Sequence, residues 1–388
     1  MSDAREPKRR KRILLIANTA RFLVLFEAND MRILTEMGYE IHCASNFREE
    51  QDETDAQAIL NERGAVTHQI DIARSPLAPG NLRAYRQLLS LMDKYAFDAV
   101  HCHTPMGAAL ARMAAHKKHI APVLYTVHGL HFYKGAPLAN WLLYCPVETF
   151  LSRWTDTLIT INREDYARAK RQMHARRTAY LPGIGIDSAS FRGTDEEGAN
   201  RAQALREEFG IPEDAVVILS VGDLNENKNH KTVIEALSLL KRPDVFYLIC
   251  GHGPLAGTLE QLAVSLGLGG QVREAGYRKD VRDFYRLADI YAFPSRREGL
   301  SVAVMEAMAS GLPCVVSRIR GNTDLIEDGK GGYLCGADDA EAFAEALRKL
   351  LDDKEKRAAM GEENLRVIRN FDISAVDRKM RKIYAETL

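Results

Sequence analysis

The chain reads as an α/β protein of two doubly wound domains, each a parallel sheet covered by helices on both faces. Three observations lead there. Short apolar runs bounded by turn residues alternate with longer amphipathic segments along most of the length, the pattern of strand–helix–strand crossovers. The 388 residues exceed the roughly 250–300 at which a single hydrophobic core stops growing. The stretch 178–200, TAYLPGIGIDSASFRGTDEEGAN, is rich in Gly, Ser and charge and lacks apolar periodicity, as a connection between domains does.

In chain order, 13–17, 40–44, 66–70, 99–102, 123–127 and 157–161 read as strands of the first half, with helices at 82–95 and 108–116. The second half offers strands at 216–221, 245–250, 290–293 and 313–317, interleaved with helices at 231–240, 255–266, 302–310 and 340–351. A boundary near 183–193 gives a first domain at 1–185 and a second at 194–372. A last helical segment at 373–388 is able to pack back across the first domain.

Composition removes several classes of protein. With 46% hydrophobic and 27% charged residues the chain is neither largely disordered nor collagen-like. Basic and acidic residues both number 53, so nothing in the total argues for a nucleic-acid partner. By halves the zero splits: residues 1–186 hold 25 basic and 19 acidic residues, +6, and the remainder 28 and 34, −6. Six cysteines lie far apart in apolar runs, as free thiols in a reducing compartment do. The run ILLIA after the basic residues Lys8–Arg12 is too short for a signal-peptide core, and no uncharged apolar stretch of about 18 residues is present. The expectation is a cytoplasmic protein, peripheral on the inner face of the cell membrane.

In doubly wound sheets ligands bind beyond the carboxyl ends of the strands. After the strand at 290–293 comes SRREGLSVAVMEAMASG, opening a helix whose first amides near Leu300 and Ser301 suit phosphate, with Gly299 allowing close approach. Glu306 in that helix has only small and apolar neighbours three and four residues away, so its carboxylate needs a partner from another element, and a sugar hydroxyl or ribose diol fits. Glu298 flanks the same pocket. Gly222-Asp-Leu-Asn-Glu-Asn-Lys228 and Cys250-Gly-His-Gly-Pro follow two further strands; the latter spacing is not the dinucleotide fingerprint, which disfavours a nicotinamide enzyme. In the first half His101, His103, His128 and His131 end two strands. Alternate strand positions share a face, so a zinc site is conceivable on spacing, but no acidic ligand lies near in sequence and no metal is expected.

The segment E-G-L-S-x-x-x-M-E-A-M-A-x-G-x-P resembles the donor-site signature of retaining, nucleotide-sugar-dependent glycosyltransferases of the GT-B fold, in the large family numbered four. The loop from Gly222 to Lys228 resembles that family's diphosphate-holding G-R-L-x-x-x-K segment, with Asp223 where arginine is commoner. AGYRKDV, containing Arg278, resembles the segment that reads the nucleobase; its Asp280 reads equally as a helix cap. More narrowly, HGLHFYKGAPLxNWLLY, VETFLSRW and GDLNENKNH resemble the subgroup that builds bacterial capsule, exopolysaccharide and lipid-linked glycans.

The resemblance implies two Rossmann-like domains facing across a cleft, acceptor on the first and donor on the second. It assigns Glu298 to the sugar hydroxyls, Glu306 to the ribose, Gly222, Lys228, Arg278, Gly299, Leu300 and Ser301 to the rest of the donor, and His128 to the reacting sugar. His103, His131, Lys134 and Glu148 would lie on the acceptor side. A UDP-sugar is the co-substrate, an N-acetylhexosamine the guessed sugar and a polyprenyl-diphosphate-linked glycan the acceptor, with no cofactor and no metal. Relatives often carry a glycine-rich first loop, where this chain has Asn18-Thr-Ala-Arg-Phe-Leu23. The helix with Trp141 and Tyr144 reads as a membrane-interface segment or a plain core helix, and the basic N-terminal run as lipid-facing or merely solvated. Rival readings are a UDP-N-acetylhexosamine 2-epimerase-like isomerase on the same fold and a metal-dependent hydrolase built on the four histidines.

Overall fold

The structure, a computed structural model, describes residues 9–48, 55–193 and 196–388. Lys8 of the basic run and Thr194 and Asp195 of the connection lie outside the described residues. The chain divides into two compact units, 1–184 with 376–388, and 185–375.

The first unit is a seven-stranded parallel sheet: β1 (Arg12–Thr19), β2 (Glu40–Asn46), β3 (Val66–Gln69), β4 (Ala99–Cys102), β5 (Val123–Val127), β6 (Thr157–Thr160) and β7 (Arg177–Tyr180), in the order β3-β2-β1-β4-β5-β6-β7. Side chains alternate across a strand, so β1 feeds both cores. Leu14 and Ile16 join Leu88 and Ala111 of the helices Gly80–Tyr95 and Pro105–Lys117. Ile13 and Leu15 join Leu34 of Ala28–Glu36 and Met380, Ile383 and Tyr384 of the C-terminal helix Ile373–Thr387. That last helix therefore does return to the first sheet, and four of its side chains are buried.

The second unit is a six-stranded parallel sheet of β8 (Val216–Val221), β9 (Val245–Cys250), β10 (Val272–Gly276), β11 (Ile290–Phe293), β12 (Cys314–Ser317) and β13 (Gly332–Cys335), ordered β10-β9-β8-β11-β12-β13. Its core joins Ile218 and Ile249 to Val233 and Leu237 of Lys231–Leu240 and to Phe343 and Leu347 of Ala340–Leu351. In both sheets the strand order reverses beside the first strand, at β1/β4 and β8/β11. Loops leaving those strands part there and leave a crevice for ligands.

Three strands escaped the sequence pattern, β7, β10 and β13, and all lie at sheet edges. Edge strands are covered less completely, so their sequences (RTAY, VREAG, GYLC) lack the continuous apolar run of a central strand. The connection is also not loose: Ile186 bridges to Asp372, with its N–H donating to Phe371 O at 3.0 Å, and Ile186 and Phe191 are buried in the second unit. The division falls at 184/185, within the 183–193 expected from the sequence. Gly185 adopts φ +85°, and a Cβ there would sit 2.9 Å from Ile373 Cα. Only glycine fits both demands.

Candidate functional site

In the second unit the loops after β8 and β11 meet at the crevice. The loop Gly222–Asn229 is folded by Asn225, whose side-chain oxygen accepts from the N–H groups of Asn227 and Lys228, both at 3.0 Å. This turn aims Lys228 at Glu298: Nζ to Oε1 is 2.7 Å, and Ser295 Oγ donates to the same oxygen at 2.6 Å. The Lys228 ammonium also lies 4.9 Å from the centre of the Phe293 ring. Both charged groups retain partial exposure, 19% for Lys228 and 15% for Glu298. The turn at Gly251 packs hard on the same loop, since a Cβ on Gly251 would lie 1.9 Å from Gly222 O.

Ser301 caps the helix Val302–Ala309, its Oγ accepting from Val304 N at 3.3 Å, and Leu300 and Ser301 are buried beside it. One turn on, Glu306 finds its partner on the helix Val281–Leu287: Tyr285 Oη is 2.9 Å from Oε2. Burial raises the Glu306 pKa, with the Tyr285 hydrogen bond and the nearby Arg282 charge opposing. Glu306 lines a cavity of about 480 Å³ with Ser190, Phe191, Lys279 and Arg282. Arg278 departs from expectation. Its guanidinium is paired with Glu208 at 2.7 Å and Asp280 at 2.7 Å, so two carboxylates already hold it. Asp280 precedes its helix without a capping hydrogen bond, because its carboxylate faces Arg278.

In the first unit the loops after β1, β4 and β5 converge. The glycine-poor first loop turns at once into the helix Ala20–Phe26, and Asn18 is pinned by the Gly107 N–H at 2.6 Å and Thr104 Oγ1 at 2.7 Å. Thr104 itself sits at φ 58°, ψ 145°, a strained conformation for a non-glycine residue. His131 stacks near Tyr144 and lines a cavity of about 290 Å³ with Asn18, Thr19, Arg74 and Thr104.

The four-histidine zinc set does not form. His101 lies 2.9 Å from Tyr384 Oη and 2.8 Å from Thr126 Oγ1. His103 and His128 instead meet Glu27, which sequence reading had not selected. Glu27 Oε1 is 3.1 Å from His103 Nδ1 and 3.4 Å from His128 Nε2, and the two ring nitrogens are 3.4 Å apart. Glu27 is hydrogen-bonded to Asp30, which accepts from Tyr384 Oη at 3.0 Å. Burial pushes the Glu27 carboxyl up to about 8 and the imidazoles down, to about 4 for His128 and about 3 for His101. The one available signal was a glutamate inside the apolar run FLVLFEA.

Two other acceptor-side expectations change. Glu148 is buried against Arg112, with Oε2 to Nη2 at 2.8 Å and Oε1 accepting from Tyr125 Oη at 3.3 Å, where it ties the helix Leu138–Leu151 to its neighbours. Trp141 and Tyr144 pack inward, Trp141 against Phe132 and beneath Arg168, while Leu138, Leu142 and Phe150 of the same helix are exposed. Lys134 remains exposed, its N–H donating to Glu164. The described part of the basic run is engaged with the fold: Arg9 pairs with Asp98, Arg12 with Glu40, Arg10 donates to Gly38 O and Lys11 to Tyr39 Oη.

Two switch-point sheets with a paired lysine and glutamate at the second crevice define the class, and comparison with known proteins agrees. Residues 12–162 match the family described as "Glycosyl transferase 4-like" and residues 202–366 the one described as "Glycosyl transferases group 1". The chain is 38% identical over 380 residues to a putative glycosyltransferase EpsD of Bacillus subtilis (strain 168), covering 97% of this chain and 96% of the relative. It is 26% identical over 352 residues to the UDP-Gal:alpha-D-GlcNAc-diphosphoundecaprenol alpha-1,3-galactosyltransferase of Escherichia coli, covering 86% and 90%. The crystal structure of Anabaena HepE in complex with UDP superimposes with a TM-score of 0.77 over 97% of this chain and all of that one, at 17% identity, a likeness of fold. The chain belongs to the group 1, family-4-like glycosyltransferases of the GT-B class and is a glycosyltransferase enzyme. The isomerase and hydrolase alternatives give way to this membership.

Proposed function

We propose that this enzyme takes a sugar from a UDP-sugar and transfers it, with retention of anomeric configuration, to a polyprenyl-diphosphate-linked glycan in bacterial surface-polysaccharide synthesis. The observation that carries the reading is the Lys228–Glu298 pair at the β8/β11 switch point, beside the amide-bearing start of Val302–Ala309. A diphosphate takes the ammonium and the helix N-terminus, and the glutamate so released accepts hydrogen bonds from the sugar. Glu306, one turn further into the 480 Å³ cavity, receives the ribose. Fixed donors then stabilise the departing diphosphate, and this half of the reaction needs no metal. His128 serves the transferred sugar in this reading.

Support for donor and acceptor class comes from the Escherichia coli relative, whose name specifies UDP-galactose and a diphosphoundecaprenol-linked acceptor. An N-acetylhexosamine is the sugar we favour. No helix among the described residues is long and apolar enough to cross a membrane. The exposed apolar face of Leu138–Leu151 is the surface we assign to the lipid bilayer. A thermal-shift screen of UDP, GDP and their sugars, followed by transfer from the stabilising donor to an undecaprenyl-diphosphate-sugar with the product anomer read by NMR, tests the proposal. Stabilisation by GDP-sugars alone, or an inverted linkage, overturns it.

A further inference from the structure

We infer that a cavity in the first unit, walled by Arg74, His131 and Tyr144, binds the diphosphate of the lipid-linked acceptor, and that Leu77 beside it takes the first isoprene units. The inference deepens the acceptor half of the proposed function and rests on that reading; the donor half does not enter it. The cavity, of about 290 Å³, lies between the loop after β3, the first loop, the start of the helix Pro105–Lys117 and the helix Leu138–Leu151. Its volume is close to the roughly 300 Å³ at which small-ligand pockets begin. A compact head group fits there, and a whole glycan does not.

The lining suits an anion. Arg74 brings a permanent positive charge, and no Asp or Glu among the described residues lines the cavity to oppose a phosphate. A guanidinium matches phosphate well, because its planar fork donates two parallel hydrogen bonds. Thr19 and the His131 ring add polar groups to the same wall. Met106, also on the lining, lies in the first turn of a 13-residue helix. Its amide therefore has no carbonyl one turn back to bond, and the helix dipole favours negative charge nearby. The wall is held in place before any ligand arrives. Asn18 Oδ1 accepts the Gly107 N–H at 2.6 Å, the His131 ring lies 4.7 Å from that of Tyr144, and the His131 carbonyl accepts from Asn140 Nδ2 at 3.0 Å.

What surrounds the cavity points to a lipid-bearing anion. Leu77, Leu138 and Leu142 are 86%, 73% and 71% exposed, the three most exposed large aliphatic side chains among the described residues. All three belong to segments that wall the cavity: Leu77 follows the lining Pro76, and Leu138 and Leu142 precede Tyr144 on its helix. Exposed leucines scattered singly carry no meaning, but a group of them marks a surface that meets something apolar. Here they accompany a cationic pocket. That combination matches a ligand anionic at one point and hydrocarbon next to it, as a polyprenyl diphosphate is, whereas a free sugar phosphate has no use for the leucines.

The test is calorimetric titration of the full chain with geranyl-diphosphate-linked N-acetylglucosamine and with the neutral geranyl glycoside of the same sugar. UDP is kept saturating, so that the diphosphate does not report on Lys228. The native chain should favour the diphosphate probe at least tenfold. Arg74→Gln should lower that affinity about 10–100-fold, the worth of a hydrogen bond to a charged group, and leave the neutral probe and UDP unmoved. Leu77→Ser should weaken both geranyl probes and leave inorganic pyrophosphate unmoved. Arg83→Gln, at an exposed arginine 3.6 Å from Asp71 and off the lining, should change nothing. An unchanged melting temperature reports that each variant is folded. Equal affinity of the native chain for the two probes, an undiminished preference in Arg74→Gln, an equal loss in Arg83→Gln, or unchanged geranyl binding in Leu77→Ser overturns the inference. Transfer to the diphosphate probe alongside any of these keeps the proposed function and removes the cavity alone. Transfer only to a glycan that carries no diphosphate removes the acceptor reading itself.

Discussion

At the scale of single residues, the second unit's site consists of charges held ready by their neighbours. Lys228 is kept in place by the Asn225 turn and by Glu298, so truncation loses a charge-assisted contact without loosening the loop. Lys228→Ala should lower UDP affinity about 10–100-fold by calorimetry, the worth of one hydrogen bond to a charged group. Close by, His230 is buried with Nε2 3.3 Å from Asp223 O and Nδ1 3.3 Å from Tyr247 Oη, an arrangement suited to the neutral ring. Burial holds its pKa down to about 4 against an ordinary 6.5. A depressed histidine contributes stability above its unfolded pKa and loses it as pH falls toward the folded one. The second unit should therefore lose roughly 3 kcal/mol between pH 6.5 and 4 from this residue. Urea unfolding of His230→Asn across that window should show a shallower acid slope than the parent.

The Arg112–Glu148 pair belongs to the residue scale as well. Both partners are buried, and removing one strands the other's charge. Glu148→Ala should cost about 3–5 kcal/mol, whereas replacing both residues by apolar ones of similar volume should restore most of the loss. Denaturant titration of the single and double variants separates this structural role from acceptor binding.

At the scale of elements, the points of interest are where the chain turns. Helix Leu138–Leu151 carries Trp141, Tyr144, Leu138 and Leu142, and its sequence alone reads as lipid-facing or core. Folding divides the face: aromatics inward against Phe132 and Arg168, leucines outward. Leu142→Glu should leave melting temperature nearly unchanged and reduce sedimentation with anionic vesicles. The segment at 185–193 is a second such element. Its Gly and Ser content suggests slack, yet Gly185 passes so close to Ile373 that Gly185→Ala should destabilise the second unit by at least about 1 kcal/mol, read as a lowered midpoint in urea.

At the scale of the whole molecule, the C-terminal helix leaves the second unit and completes the core of the first with Val376, Met380, Ile383 and Tyr384. Burying four such side chains contributes roughly 6 kcal/mol or more, a large share of the stability of an ordinary domain. A chain ending at residue 375 should retain a folded second unit and lose cooperative unfolding of the first, visible as one missing calorimetric transition. The charge asymmetry also takes on meaning at this scale. Several basic residues of the N-terminal run are spent on Asp98, Glu40 and backbone carbonyls, so the +6 of the first half is partly internal and not a free lipid-facing surface.

How much was legible follows from how local each signal is. Central strands, the loops after β8 and β11 and the Glu298–Glu306 spacing are written in contiguous residues, because strand burial, helix periodicity and a helix N-terminus depend on near neighbours. Two alternating halves and a family-4-like glycosyltransferase were therefore determined by the sequence itself. Edge strands lack the continuous apolar run that marks a central strand, while the commitment of Arg278 to Glu208 and the burial of Glu148 against Arg112 depend on partners 70 and 36 residues away, which no local pattern announces. The meeting of Glu27 with His103 and His128 is the clearest case. Three residues far apart in the chain come together only when parallel strands bring their carboxyl ends to one edge, and that the tertiary structure alone decided.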